Sequence, residues 1–141
     1  MLLVDTNVWL AAVDRRSPAH PRCSRLLRDR RDELGATSLV VAETAWFLLD
    51  RFGAKAQQQF VSTIVRLSLA VVDPVVDDWA RILELISTYA DLNLDVVDAS
   101  TVAVAERLGL VEVATMDERD SLHKFGQGCL VRTQTWSIRP C

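Results

Sequence analysis

Short apolar runs that alternate with longer, helix-like segments are the feature that most limits how this chain can fold. Leu2–Val4 opens the sequence, Leu69–Val72 lies near its middle, and Val111–Thr115 follows the last long helix-like segment. Strands that alternate with helices predict a parallel sheet covered by helices on both faces. We therefore expect an α/β fold with one domain over residues 1–141 and a central parallel sheet of about four to five strands.

Capping residues, Gly and Pro, and the spacing of apolar side chains set the expected elements. Strands are expected at Leu2–Val4, Ala36–Thr37, Leu69–Val72, Val111–Thr115 and Cys129–Val131. Helices are expected at about Thr6–Val13, His20–Leu34, Ser38–Phe52, Ala54–Leu67, Asp77–Tyr89 and Asp98–Leu108, with a short helix or turn at Asp117–Lys124. Gly35 is expected to end the second helix, as glycine often does.

The cysteines and the apolar stretches limit where the protein acts. Cys23, Cys129 and Cys141 are widely spaced and odd in number, which favours free thiols in a reducing cytoplasm over disulfides or a zinc site. No basic-then-apolar leader opens the sequence. The most apolar stretch, Phe60–Val76, is interrupted by charged residues and a proline, so we expect no membrane span and a cytoplasmic protein.

Two acidic residues are expected at one edge of the sheet. Asp5 directly follows the first strand, and Asp117 follows the strand that ends at Thr115 by two residues. The carboxyl ends of parallel strands meet at the same edge, where such sheets bind ligands. Taken singly, Asp5 could be a plain helix cap and Asp117 a turn residue.

Two further acids lie in helix-like segments. Glu43 falls on the stripe formed by positions 39, 40, 43, 46 and 47, and a carboxylate that loses water there must pair, bind metal or take up a proton. Asp98 opens a helix rich in small residues and could be its cap. Glu43 could instead pair with an arginine or tilt to the boundary of its stripe. Periodicity and composition do not join these two acids to the others.

Four segments together resemble the motifs of a known family. Leu2–Asn7 looks like the first-strand motif of the PIN domain, and specifically of the VapC-type toxins of bacterial toxin–antitoxin pairs. Val40–Glu43 looks like its acidic helix, Leu94–Ala99 like its third motif, and Ala114–Asp120 like its closing Thr-x-Asp segment. The segments follow the family's order over nearly the whole chain, although Ser121 and Leu122 depart from its pattern.

The resemblance implies a doubly wound parallel sheet and an endoribonuclease that depends on one or two Mg²⁺ or Mn²⁺ ions. It also implies a homodimer and an inhibitory VapB-type antitoxin as partner. Carried over residue by residue, the metal-binding and catalytic acids are Asp5, Glu43, Asp98 and Asp117, and the supporting polar residues are Asn7 and Thr115. Asp95 and Asp120 are spare acids near the same motifs.

The chemistry of four carboxylates in one cleft is consistent with this function. They would repel one another unless their pKa values rose or a cation neutralised them. Mg²⁺ and Mn²⁺ prefer oxygen ligands and can activate water for hydrolysis of a phosphodiester. The RNA target itself is not encoded in these acids.

Arginines are concentrated between residues 15 and 31, although the net charge is −3. Arg22, Arg25 and Arg28 are candidate contacts to phosphate or to a protein partner, because in the resembling family this region also contacts the antitoxin. The alternative is a solvated helix face whose arginines pair with neighbouring acids. The tryptophans favour core or dimer contacts over base stacking: Trp9, Trp46 and Trp79.

Two rival functions remain open. A phosphatase-like hydrolase would use Asp5 as nucleophile, but its usual motif is Asp-x-Asp and position 7 is Asn. A catalytically silent PIN-like binding module would keep the fold without the chemistry. The presence of all four acids argues against the second rival.

Overall fold

A computed structural model describes residues 1–116 and the backbone of a strand at 131–132. The strands of this described part are β1 Leu2–Val4, β2 Leu34–Thr37, β3 Ala70–Val72, β4 Glu112–Ala114 and β5 Val131–Arg132. Its α-helices are α1 Thr6–Val13, α2 His20–Asp29, α3 Ser38–Phe52, α4 Ala54–Leu67, α5 Val76–Thr88 and α6 Val96–Arg107. Short 3₁₀ turns lie at Arg31–Glu33 and Ala90–Leu92. The expected turn at Asp117–Lys124 and residues 129–130 of the expected last strand lie outside the described residues.

The strands form one sheet in the order β3-β2-β1-β4-β5. β1 is central and pairs in parallel with β2 and with β4, with Leu2 opposite Leu34 and Leu3 opposite Val113. β2 pairs in parallel with β3, and only β5 is antiparallel. The expected α/β fold with a largely parallel sheet is confirmed.

Helices cover both faces of this sheet, as the side chains of β1 illustrate. Leu2 and Val4 point into a core that includes residues of α1, α3 and α4. Leu3 packs on the opposite face against Val104 of α6. This alternation follows from the two-residue period of a strand. α6 in turn packs against α5 through a smaller core that contains Ile82 and Leu85.

The second helix ends earlier than the sequence suggested, and Gly35 does not terminate it. α2 stops at Asp29, and Gly35 lies inside β2 opposite Ala70. A Cβ at position 35 would lie 2.8 Å from Met1 Sδ and 3.1 Å from the carbonyl oxygen of Ala70. The glycine is therefore explained by close packing in the sheet rather than by a helix stop.

The apolar side chains of α5 are only partly buried. Ile82 and Leu85 are buried against α6, whereas Trp79 and Leu83 are exposed. The buried line passes through Asp78, whose carboxylate is engaged by Arg107. Within the described residues, no helix combines the length and apolar character needed to span a bilayer.

Candidate active site

Asp5 lies at the carboxyl end of the central strand and caps α1. Its Oδ1 accepts a hydrogen bond from the backbone N–H of Thr6 at 2.7 Å. The side chain is only 4% exposed. The residue is thus the helix cap that the sequence allowed, but capping uses one carboxylate oxygen and leaves the other available.

Thr115 and Asn7 hold the other side of that carboxylate. Thr115 Oγ1 donates to Asp5 Oδ2 at 3.0 Å and accepts from Asn7 Nδ2 at 3.1 Å. Asn7 Oδ1 in turn accepts from the backbone N–H of Met116 at 3.0 Å. These bonds join the start of α1 to the residues just past β4. Of the two polar residues expected to support the site, Thr115 therefore contacts Asp5 directly, and Asn7 acts through the hydroxyl of Thr115.

Glu43 approaches the same edge from α3. This helix begins directly after β2, where Thr37 Oγ1 accepts from the backbone N–H of Val40 at 3.2 Å. Glu43 is half-buried. The buried line of α3 runs through Val40, Thr44 and Leu48, so it shares only Val40 with the expected stripe, and Trp46 is 59% exposed. Glu43 lies beside this line, so its carboxylate keeps partial access to solvent.

Asp98 lies in the first turn of α6 and does not open it. Asp95 is the cap: its Oδ1 accepts from the backbone N–H groups of Val97 and Asp98 at 2.8 and 2.9 Å. The helix consequently starts at Val96, two residues before the expected start. Asp98 is half-buried. The sequence contains a signal for this start of α6, because Asp95, a residue type that favours helix caps, lies three positions before Asp98.

A buried hydrogen bond connects the acidic helices α3 and α6. Thr37 Oγ1 lies 3.2 Å from Ser100 Oγ, and Ser100 Oγ donates to the carbonyl oxygen of Val97 at 2.7 Å. Because Thr37 also caps α3, this pair relates the amino-terminal ends of both helices. It fixes the elements that carry Glu43 and Asp98.

The electrostatics show that several acids act on Asp5. The pKa of Asp5 is raised to about 6, mainly by burial and also by the charges of Glu43 and Asp95, against the hydrogen bonds from Thr6 and Thr115, which lower it. Asp95, a spare acid in the sequence, therefore belongs to the electrostatic environment of the site. Negative charge accumulates here at a cost that a cation would reduce.

This arrangement can be compared with known proteins. The family model of the PIN domain matches residues 2–126. The chain belongs to the PIN domain family. Among solved structures, the crystal structure of Mycobacterium tuberculosis VapC20, described as a sarcin-ricin loop cleaving toxin, resembles it with a TM-score of 0.74 and 23% sequence identity. The match covers 84% of this chain and 91% of that one, and at this identity it bears on the fold alone. No curated protein matches the sequence significantly.

The described residues of this PIN domain fit a hard divalent cation, but they do not form a complete ligand set. No three His, Cys, Asp or Glu side chains within residues 1–116 are grouped to hold a metal ion. The fourth expected acid, Asp117, lies outside the described residues. Mg²⁺ commonly takes only one or two carboxylates directly and keeps several waters, so a partial set is compatible with it. The donors near Asp5 are carboxylate oxygens, which suit Mg²⁺ and Mn²⁺.

The PIN domain also has arginines near this edge. Arg22 Nη2 lies 4.0 Å from Met116 Sδ, next to the backbone that Asn7 holds. Arg25 and Arg28 lie further along α2 and are exposed. Of the candidate phosphate contacts, Arg22 is therefore the one placed at the acidic edge.

Proposed function

We propose that this PIN domain is a divalent-metal-dependent endoribonuclease and the toxin of a VapBC-type toxin–antitoxin system. The observation that carries the proposal is the buried Asp5 carboxylate, held by Thr6 and Thr115 and subject to the charges of Glu43 and Asp95. A protein of similar fold is described as a toxin that cleaves the sarcin-ricin loop, which supports RNA as the substrate class.

The acids that would hold one or two Mg²⁺ or Mn²⁺ ions are Asp5, Glu43, Asp98 and Asp117. When bound, such an ion lowers the pKa of water and stabilises charge on the phosphoryl oxygens. Asp5 is held in one rotamer by hydrogen bonds to both of its oxygens. Asn7 and Thr115 keep that rotamer in place, while Glu43 remains partly accessible to solvent.

The phosphatase-like alternative is less well supported by the geometry. Such an enzyme needs a second acid two residues after the nucleophile, and the corresponding Asn7 uses its amide to bind Thr115 and Met116. A phospho-aspartate trapped on Asp5 would favour that alternative. The silent binding module would be favoured if calorimetry detected no binding of Mn²⁺ at millimolar concentration.

The partners that we propose are an RNA substrate, a VapB-type antitoxin and a second copy of the chain. Exposed apolar side chains on α5 support a protein contact: Val76, Trp79 and Leu83 are 85%, 47% and 67% exposed. Trp9 is instead buried and packs edge-on against Phe60, with ring centroids 5.5 Å apart. Of the three tryptophans expected in the core or at a dimer contact, Trp46 and Trp79 are therefore left as surface candidates. A toxin of this kind would act in the cytoplasm.

Cleavage of total RNA in the presence of Mg²⁺ tests the proposal. Asp5→Asn and Asp98→Asn are expected to keep the fold and lose cleavage, because each removes a charge that the ion needs. The matched control is Asp50→Asn, an exposed acid near the other end of α3, which is expected to cleave like the wild type. Equal activity of all four proteins would reject the mechanism.

A further inference from the structure

Two contacts, one near each end of α2, show how this helix is oriented relative to β4. At its amino-terminal end, Arg22 Nη2 is 4.0 Å from Met116 Sδ, just past the carboxyl end of β4. Near its other end, Arg30 Nη1 is 3.4 Å from Glu112 Oε2, at the start of β4. The helix therefore begins at the acidic edge of the sheet and leads away from it toward the opposite edge.

The arginines between residues 22 and 31 fall into two groups. Arg30 pairs with Glu33 at 2.8 Å as well as with Glu112, and Arg31 lies 3.5 Å from Asp32. The second group consists of three exposed arginines that form no ion pair with any other described residue: Arg22, Arg25 and Arg28. The alternative in which these arginines pair with neighbouring acids thus holds for the first group. The second group remains available to bind an anionic ligand.

The spacing of the second group matches a linear polyanion. Residues three apart on a helix are neighbours on its surface. At 1.5 Å per residue, Arg22 and Arg28 are separated by about 9 Å along the axis. Each strand of double-stranded DNA carries one charge per roughly 3.4 Å of axis, so the distance from Arg22 to Arg28 is comparable to the separation of phosphates a few nucleotides apart.

We propose that Arg22, Arg25 and Arg28 form a phosphate-binding track for single-stranded RNA, which starts at the acidic site and leads away from it along α2. The proposal rests on the proposed ribonuclease function, because the track then holds the part of the substrate beyond the scissile phosphate on one side. Arg22 contacts the phosphate nearest to the site, and Arg28 contacts the most distant one.

The composition of this surface favours RNA over a protein partner. Protein interfaces are centred on buried apolar and aromatic side chains, whereas nucleic-acid interfaces are polar and positively charged. Within the described residues, the large exposed hydrophobic side chains lie on other elements, and α2 contributes none of them. An antitoxin segment bound to this face of α2 would contact positively charged side chains but no large exposed apolar side chain of that helix.

Binding of a short, fluorescently labelled, mixed-sequence single-stranded RNA in excess chelator tests the track without cleavage. Each phosphate contact on a single strand contributes about 0.7 to the slope of log affinity against log salt. Replacing all three arginines by Gln should therefore reduce the slope by about 2. Between about 50 and 200 mM salt, the wild-type affinity should fall roughly 18-fold more than that of the triple variant.

The matched control is Arg66→Gln on α4, an exposed arginine whose guanidinium contacts only Thr63 within the described part of the chain. This variant removes one positive charge, as each substitution in the triple variant does, but at a position away from α2, and it should retain the wild-type slope. Circular dichroism and thermal unfolding establish that all variants are folded. A triple variant with the wild-type slope, or an Arg66 variant with an equal loss, would overturn the track.

Substrate length provides a second test and separates the two proposals. In Mg²⁺, shortening the RNA from one end should abolish the effect of Arg28→Gln on kcat/KM first and that of Arg22→Gln last. Identical length dependence for both variants would contradict the direction of the track. Arginine-dependent binding without cleavage by any variant would refute the ribonuclease function alone, and cleavage with arginine-independent binding would refute the track alone.

Discussion

Thr115 donates its hydroxyl proton to Asp5 across the end of the sheet, with Oγ1 3.0 Å from Oδ2, although 110 positions separate the two residues. The same hydroxyl accepts a hydrogen bond from Asn7. The orientation of the buried carboxylate therefore depends on a residue outside the strand and helix that carry it. This dependence makes Thr115 a positioning residue whose role can be measured apart from catalysis.

Thr115→Val is expected to weaken Mn²⁺ binding and to destabilise the fold by about 1–2 kcal/mol, because it leaves buried partners without a hydrogen bond. Losing this bond should also raise the pKa of Asp5, since the bond stabilises the charged form. Calorimetry gives the affinity and urea unfolding gives the stability. Thr115→Ser keeps the hydroxyl and should restore Mn²⁺ binding. Wild-type binding by the valine variant would contradict the assignment.

Stability of the metal-free protein should depend on the ionisation of Asp5. Because burial raises its pKa from 3.8 to about 6, the folded state binds more protons than the unfolded state between these values. The contribution of Asp5 to the free energy of unfolding therefore falls as pH rises from about 4 to 6, by roughly 3 kcal/mol at most.

Asp5→Asn removes this loss while it retains the helix cap, so it should stabilise the chelated protein above pH 6 and have less effect near pH 4. Thermal unfolding across that pH range in excess chelator measures the difference. Added Mg²⁺ or Mn²⁺ should raise the Tm of the wild type but not that of the variant. An unchanged or lower Tm of the chelated variant at pH 7.5 would argue against an ionised, desolvated Asp5.

The ion pair between Arg107 and Asp78 should stabilise the contact between α5 and α6 without affecting the acidic site. Arg107 Nε donates to both carboxylate oxygens of the buried Asp78 at 3.0 and 2.9 Å. Arg107→Gln should cost about 3 kcal/mol in urea unfolding, because it leaves a buried carboxylate without its cation. The exposed neighbour gives the control, since Asp77→Asn should change stability by less than about 0.5 kcal/mol. Equal losses for both variants would rule out a specific ion pair.

In the homodimer that we propose, the exposed apolar surface of α5 should form the contact between the two copies of the chain. Leu83→Glu places a charge on that surface and is expected to convert the dimer into a monomer, as sedimentation velocity would report. Val65→Glu on α4 introduces the same charge at a side chain that is 72% exposed, compared with 67% for Leu83. A dimer that survives the change at Leu83, or dissociates only with the change at Val65, would place the contact elsewhere.

Local signals in the sequence were sufficient for the order of the elements and for the fold class. β1 follows from an apolar run, and the start of α1 follows from Asp5, which caps the helix by accepting a hydrogen bond from its immediate neighbour Thr6. The expected bounds of α3 and α4 agree with the structure, because a hydroxyl residue caps α3 and Gly53 separates the two helices, although the cap is Thr37 rather than Ser38. Such features need no knowledge of the rest of the molecule.

The structure differs from the sequence predictions where contacts between residues distant in the sequence determine the local conformation or burial. Gly35 was interpreted as a helix stop, but its role depends on Met1 and Ala70, which reach it only through the sheet. Leu83 has the apolar character of a core residue, but α6 covers the adjacent line of α5 and leaves Leu83 exposed. For the site, sequence reasoning connected Asp5 with one strand end, and the hydrogen bonds of Asn7 and Thr115 add the geometry that spacing alone did not contain.

The central position of β1 has a consequence for how the protein is made. β1 is synthesised well before β4, with which it pairs, so Leu3 cannot pair until Val113 has been made. Asp5 likewise meets Thr115 only after more than one hundred further residues have been synthesised. A nascent chain therefore contains the first acid long before it contains the hydroxyl that orients it. The carboxylate of Asp5 therefore cannot reach its final orientation until β4 and Thr115 have been synthesised.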